Sequence, residues 1–365
     1  MIVIYLDHHA ATPLGEPARR AMEAAAAAAW ANPSSVHAAG RAARALLERA
    51  REQVAAALGA RPAEVVLTSG GTEACDLAIG GLGRPERVVS WRLAHPAVLA
   101  PCATWESAGV PQLLLDGLEV PADDLLEPGT LLVVPWVGHE TGNVLDLAAL
   151  AERAHRRGAR VVVDANQALG RLPFRMDDWP VAAVAIASHK IGGPAGAGAL
   201  VLRRGLELAP RFPGGGQERG RRGGSPGVAA LVGFGAACGA LADRLDAMPR
   251  VAAWRDRLEA AGIHLGGVVN GAGPRVASVT NLSFRAWKSA HLVAALDLEG
   301  LATSAGAACS SGLAEPSPGV AALHPDEPWR AASALRLSLG PEGLDDDAID
   351  RAVAILERVV PRATI

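Results

Sequence analysis

Lysine is nearly absent from this chain of 365 residues: Lys190 and Lys288 are the only two, and arginine supplies the rest of the 35 basic side chains. Lys190 lies in Ser188-His189-Lys190-Ile191-Gly192-Gly193-Pro194, directly after the apolar run 181–187. An amine can form a Schiff base with a carbonyl compound, whereas a guanidinium cannot. Lys190 therefore reads either as the anchor of a carbonyl cofactor or as an ordinary surface lysine. Lys288, in a polar stretch, reads as the ordinary case.

Three further groups have types that could serve such a cofactor. Thr68-Ser69-Gly70-Gly71-Thr72-Glu73-Ala74 follows an expected strand and opens an expected helix. Backbone amides at Gly71 and the Thr72 hydroxyl would converge at a helix N-terminus, which suits a phosphate, although a plain N-capped turn has the same letters. The spacing matches neither the Walker pattern nor the dinucleotide glycine fingerprint. Asp164 closes the run Val161-Val162-Val163, with Gln167 three residues on. A carboxylate there can hold a pyridinium nitrogen protonated, or cap the next segment. His95, before Pro96, could stack on a ring, shuttle protons or be structural. An amine for an aldehyde, a phosphate cradle, a carboxylate for a ring nitrogen and an imidazole for the ring face together specify pyridoxal 5′-phosphate.

These groups need a scaffold, and its pattern is visible. Residues 16–58 are rich in helix formers, with Asn32-Pro33-Ser34-Ser35 separating two expected helices. Beyond them, short β-branched runs (65–67, 87–89, 131–134, 160–163, 181–187, 199–202) alternate with amphipathic stretches (74–79, 97–105, 147–155). That alternation predicts an α/β layer on a mostly parallel sheet. The glycine- and arginine-rich stretch 211–227 reads as a loop. A long helical segment is expected over 228–261, then strands at 279–284 and 334–339 mixed with helices at 290–299 and 345–359. The expected organisation is a large α/β domain over 16–240 and a small α+β domain built from 1–15 and 241–365.

Composition narrows the function classes. A net charge of −3 and a pI near 6.4 give no sign of a nucleic-acid surface. No apolar tract approaches the roughly 20 residues of a membrane span, and the N-terminus meets Asp7 too early for a secretory leader. The four cysteines (Cys75, Cys102, Cys238, Cys309) have no paired close spacing, so no metal site is expected and a reducing, cytoplasmic compartment is.

The whole chain resembles the cysteine desulfurases of the NifS/IscS type, within the class V aminotransferase group of fold-type I pyridoxal phosphate enzymes. The matching segments, in order, include Tyr5-Leu6-Asp7, Asn32 to His37, Thr68 to Ala74, His95-Pro96-Ala97-Val98, Glu140-Thr141-Gly142, Asp164 to Gly170 and Ser188-His189-Lys190. They continue with Gly214 to Gly220, Ala308-Cys309-Ser310-Ser311-Gly312 and Leu335 to Gly340.

The resemblance implies a seven-stranded, mostly parallel sheet and a role for each matched residue. Lys190 would be the Schiff-base lysine, Asp164 the partner of the ring nitrogen, Gln167 a hydrogen-bond partner of the ring hydroxyl and His95 the stacking ring. Gly71, Thr72, Ser188 and His189 would hold the phosphate, with Ser225 reaching across a homodimer interface. Arg336 would clamp the substrate carboxylate, a task for a planar bidentate donor. Asn32 and His139 would contact substrate or cofactor. Cys309 would take sulfur from L-cysteine as a persulfide, release L-alanine and pass sulfur to an acceptor protein, with His95 the candidate to activate it.

Some positions depart from the family pattern. His139 stands where asparagine is expected, His8 and His9 where small polar residues are, and Ala94 where a glutamate often precedes the histidine. Alternatives are another reaction on the same cofactor (selenocysteine lyase, cysteine lyase or desulfhydrase, or an aminotransferase of a small amino acid), or a non-catalytic scaffold for a sulfur acceptor. Retention of turnover by Cys309→Ala would exclude persulfide chemistry.

Overall fold

The structure, a computed structural model, describes residues 3–306 and 315–360. Cys309, the expected nucleophile, lies outside the described residues.

The continuous apolar runs of the first half become strands of one seven-stranded sheet. Its spatial order is Val65–Thr68, Gly198–Leu202, Ala183–Ala187, Arg160–Asp164, Thr130–Pro135, Arg87–Trp91, Gln112–Leu115. Gly198–Leu202 alone runs against the others. Side chains alternate across a strand, and here both faces are covered. Val161, Val163, Val184 and Ile186 enter one apolar cluster, whereas Val162, Ala183 and Ala185 enter another on the opposite face. No polar face had to be kept, so these strands read as unbroken hydrophobic runs.

Helices Glu16–Ala28 and Ala38–Ala57 pack against helix Val228–Gly239, and the break between the first two falls where Asn32 to Ser35 placed it. The long helical stretch expected over 228–261 is instead three helices: Val228–Gly239, Leu241–Asp246 and Met248–His264. Pro249 sits in the first turn of the third, where its missing amide donor costs nothing. No single described helix is long and apolar enough to cross a membrane.

A separate apolar cluster joins Leu6, Trp254, Leu258, Leu282, Leu335 and Ile349. It lies against an antiparallel sheet of Val268–Val269, Val279–Ser283 and Ala334–Ser338, and takes in Ile4 and Leu301 from a two-stranded parallel ribbon of Ile4–Tyr5 with Leu301–Ala302. Leu335 and Leu337 point into this cluster, so the period of two turns Arg336 to the other side of its strand.

Candidate active site

Parallel strands end on one edge of a sheet, and in open α/β sheets ligands bind beyond that edge. Here five chain segments leave it together, after Thr68, Trp91, Pro135, Asp164 and Ala187. They enclose a cavity of about 260 Å³ lined by Gly71, Thr72, His95, His139, Asp164 and Gln167. His189, Lys190 and Arg336 complete its wall.

Lys190 ends a single 3-10 turn, Ser188–Lys190, at the tip of the strand Ala183–Ala187. Its Nζ donates to the Ala10 carbonyl at 2.9 Å and to the His9 carbonyl. Asp164 ends its own strand and its Oδ1 accepts from the Asn166 amide at 3.0 Å and from Asn166 Nδ2 at 2.6 Å. Gln167 donates from Nε2 to the His9 carbonyl at 2.9 Å, leaving its buried Oε1 without a protein partner.

His95 caps the helix Pro96–Ser107, its Nδ1 accepting from the Ala97 amide at 3.0 Å. A neutral ring with that acceptor carries its proton on Nε2. Burial and the nearby Lys190 and Arg336 push its pKa below the ordinary value, while Asp164 opposes them. His139 meets the His95 ring edge-on, with centroids 5.0 Å apart at 81°. Burial, followed by His95, Arg336 and Lys190, holds His139 well below its usual pKa, and its buried Nε2 has no hydrogen-bond partner. Burial, with Lys190 and His95 behind it, lowers His189 to about 4. All three imidazoles are neutral at pH 7.

Arg336 is 2% exposed. Its Nη2 donates to Asp7 Oδ1 at 2.7 Å and Nη1 to the His139 carbonyl at 3.1 Å, while Nε lacks a partner. Also in the cavity lining, Gly71 opens the helix Gly71–Gly81 so close to Asn166 that an added Cβ would lie 2.3 Å from Asn166 Oδ1. Backbone amides of a helix start and the Thr72 hydroxyl are what an anion takes.

Nine of the expected site residues thus share one cavity: Gly71, Thr72, His95, His139, Asp164, Gln167, His189, Lys190 and Arg336. Others do not reach its lining. Ser188 is fully buried with an unpartnered Oγ that packs against Gly193, where an added Cβ would sit 2.1 Å away. Asn32 is exposed and spends its Oδ1 on the Ser34 amide at 2.9 Å. Ser225 is exposed and lines a neighbouring cavity with Thr68, Gln217 and Arg222.

Residues not singled out for the site also line it, among them His9, Ala10 and Asn166. The His9 side chain is tied at both nitrogens, Nδ1 to the His139 carbonyl at 3.2 Å and Nε2 to Ser278 Oγ at 3.0 Å. A carbonyl only accepts, so Nδ1 carries the proton. Cys75, Cys102 and Cys238 are buried and burial raises each thiol, Cys102 to about 12, which makes them poor nucleophiles.

Pyridoxal phosphate fits this donor set. The cavity offers an amine, a carboxylate held by two donors, a neutral imidazole, an unpartnered Gln167 Oε1 and a helix N-terminus.

Comparison with known proteins agrees. The class-V aminotransferase family matches residues 4–348. An IscS-like cysteine desulfurase of Mycobacterium tuberculosis is 38% identical, over 98% of this chain and 96% of the relative. A solved structure of a NifS-like protein shares the fold with a TM-score of 0.90 at 24% identity, covering 98% of this chain and 99% of its own. A structure of SspA in complex with cysteine superposes with a TM-score of 0.80 at 26% identity, over 93% of this chain and 99% of that one. The chain belongs to the class-V aminotransferase family, among its NifS- and IscS-like cysteine desulfurases.

Proposed function

We propose that this chain is a pyridoxal phosphate-dependent L-cysteine desulfurase that hands sulfur to an acceptor protein. The observation that carries the reading is the convergence of Lys190, Asp164, His95 and Arg336 on one cavity. The family is one of pyridoxal phosphate enzymes, and the M. tuberculosis relative and the cysteine-bound SspA structure support L-cysteine as substrate.

When bound, the cofactor supplies a carbonyl for the substrate amine and a ring that accepts the electron pair left at the α-carbon. The remaining tasks fall to the chain's own side chains. Gly71 and Thr72 hold the phosphate at the helix N-terminus, and Asp164, fixed by Asn166, holds the proton of the ring nitrogen. Gln167 meets the ring hydroxyl, and His95 covers the ring face with its proton on Nε2. Arg336 fixes the substrate carboxylate and Lys190 Nζ moves the α-proton. Asp164 thereby serves the cofactor ring and Arg336 the substrate.

Cys309 completes the reaction. Its sulfur forms an S–S bond to the substrate sulfur as the Cβ–S bond breaks. The electron pair of that bond stays on carbon, which takes up the thiol proton to give L-alanine. Sulfur is oxidised to the persulfide level and carbon is reduced by the same two electrons, so no outside oxidant is needed. Incubation of the cofactor-loaded protein with L-cysteine should release alanine, with sulfide appearing only when a thiol reductant is added. Full alanine release by Cys309→Ala would overturn the persulfide route.

Two features support a homodimer with Ser225 serving the neighbouring subunit's phosphate. Ser225 is exposed, and Trp30, Val36 and Phe212 present large apolar side chains at 80%, 85% and 58% exposure. Light scattering should give twice the chain mass, and a monomer with full cofactor occupancy would contradict it. The cluster that draws only on 1–15 and 241–365 supports a second domain there beside one over 16–240, while Leu241, Val276 and Val279 pack into the larger domain's cluster.

A further inference from the structure

Glu140 has no task in the reaction as proposed, yet it is a carboxylate 1% exposed behind the cavity wall. Burying such a group costs several kcal/mol unless it is fully hydrogen-bonded, and here the bonds are specific. Oε1 accepts the Gly319 amide at 2.8 Å and Oε2 accepts the Ser317 hydroxyl. Ser317 Oγ accepts in turn from the Val320 amide at 3.2 Å and so caps the helix Pro318–Leu323.

The same carboxylate touches a second strand of chain. Gly306 approaches so closely that an added Cβ would lie 2.7 Å from Glu140 Oε2. Two residues earlier, Ser304 exchanges backbone bonds with Arg336, at 2.8 and 3.3 Å. On the cavity side, His139 Nε2 lies 3.5 Å from Glu140 Oε1. The Glu140 carbonyl accepts from Asn281 Nδ2 at 3.1 Å, and Asn281 is the strand partner of Arg336. In sequence, Gly306 precedes and Ser317 follows the stretch that carries Cys309. One carboxylate therefore contacts both flanks of the nucleophile's segment and the wall that holds His139 and Arg336.

We propose that Glu140 is a positioning residue for sulfur transfer: it hydrogen-bonds Ser317 and Gly319 on one flank and packs against Gly306 on the other, and so sets where Cys309 meets the substrate sulfur. The proposal rests on the desulfurase reading. It separates two functions in space, because Glu140 contacts none of the groups assigned to the cofactor phosphate or ring nitrogen.

The test compares cofactor-loaded wild type with Glu140→Ala, Glu140→Gln and Ser317→Ala. In Glu140→Ala, the L-cysteine concentration that half-saturates the change in cofactor absorbance should stay within about twofold. The kcat for alanine should fall about tenfold, the effect of losing a charge-assisted hydrogen bond. Glu140→Gln should recover most of it, since the amide oxygen still accepts from Gly319 and its NH₂ can donate to Ser317. Ser317→Ala should lose about threefold. Amide hydrogen exchange at Gly319 and Val320 should quicken in Glu140→Ala and return to the wild-type rate in Glu140→Gln.

Wild-type kcat in Glu140→Ala overturns the proposal, as does a loss of cofactor loading and cysteine response in proportion to kcat. If Glu140→Ala does not fold, an undiminished kcat in Ser317→Ala overturns it. Absence of alanine release from the wild type sinks the desulfurase reading itself, while unchanged exchange at Gly319 and Val320 in Glu140→Ala sinks the clamp.

Discussion

Arg336 and Asp7 are 329 residues apart in sequence and meet at 2.7 Å on the cavity wall, the Arg336 Nη2 donating to Asp7 Oδ1. The pair exists because Leu6 joins the apolar cluster that also takes Leu335 and Leu337, which brings the N-terminal segment alongside the strand that carries Arg336. An incoming substrate carboxylate thus meets a guanidinium already oriented by one carboxylate and one carbonyl. Arg336→Lys keeps the charge but loses the planar fork, and should raise KM for L-cysteine about 10- to 100-fold with little change in cofactor loading. Asp7→Asn keeps an acceptor for Arg336 and removes a competing negative charge, so KM should fall about threefold. Steady-state kinetics on both variants checks the opposite signs, and a rise in KM for Asp7→Asn would count against the assignment of Arg336.

Lys190 is tied to the N-terminal segment at both ends: its carbonyl accepts from Thr12 Oγ1 at 3.1 Å and its Nζ donates to the carbonyls of His9 and Ala10. Its replacement should leave the fold in place while removing the covalent attachment. Lys190→Arg should lose at least about a thousandfold in alanine release, because a guanidinium neither forms the imine nor moves the α-proton. Borohydride treatment followed by mass spectrometry should show the cofactor mass on wild type and not on Lys190→Arg. A variant still labelled would place the attachment elsewhere.

The residues that a short stretch of sequence can define were legible before the structure. Lys190 and Asp164 each close an apolar run, and Thr72 opens a helix after another; the sheet edge then gathers what those runs carry. Partners set by the folding of distant segments were not. Neither Asp7 nor His9 has a local signal, because their tasks come from Arg336, Lys190 and Gln167 far along the chain. The three helices between 228 and 264 merged into one in the sequence because Ala, Leu and Arg are strong helix formers throughout, and Pro249 was the signal for the last break. Strand Gln112–Leu115 was missed because three leucines in a row have neither a period of two nor β-branching, and parallel pairing with Arg87–Trp91 decides the matter.

Gly71 shows how steric closeness transmits to chemistry. A Cβ there would lie 2.3 Å from Asn166 Oδ1, and Asn166 holds Asp164 through two hydrogen bonds. Gly71→Ala must push Asn166 aside and disturb the carboxylate assigned to the ring nitrogen. Overpacking of this kind costs about 1 to 3 kcal/mol, so the melting temperature should drop by a few degrees. Equilibrium dialysis should show cofactor affinity about tenfold weaker, since both the phosphate cradle and Asp164 move. Unchanged affinity would mean that the cofactor does not rest on this helix N-terminus.

His8 gives the pH dependence of stability a definite sign. It is fully buried, neither ring nitrogen has a hydrogen-bond partner, and Nδ1 lies 4.0 Å from Glu342 Oε2. Burial first, and the Arg244 and Arg171 guanidiniums second, lower its pKa to about 3. The unfolded chain takes up a proton near pH 6.5 that the folded chain refuses until about pH 3, so the folded state loses stability as pH falls through that window. The slope is about 1.4 kcal/mol per pH unit for one such histidine. Melting temperatures should therefore decline between pH 6.5 and pH 4, and His8→Asn should flatten that decline while leaving alanine release at pH 8 within about twofold. An unchanged slope in His8→Asn would show that Glu342 compensates the ring when it charges, against the placement of Arg171 and Arg244 beside it.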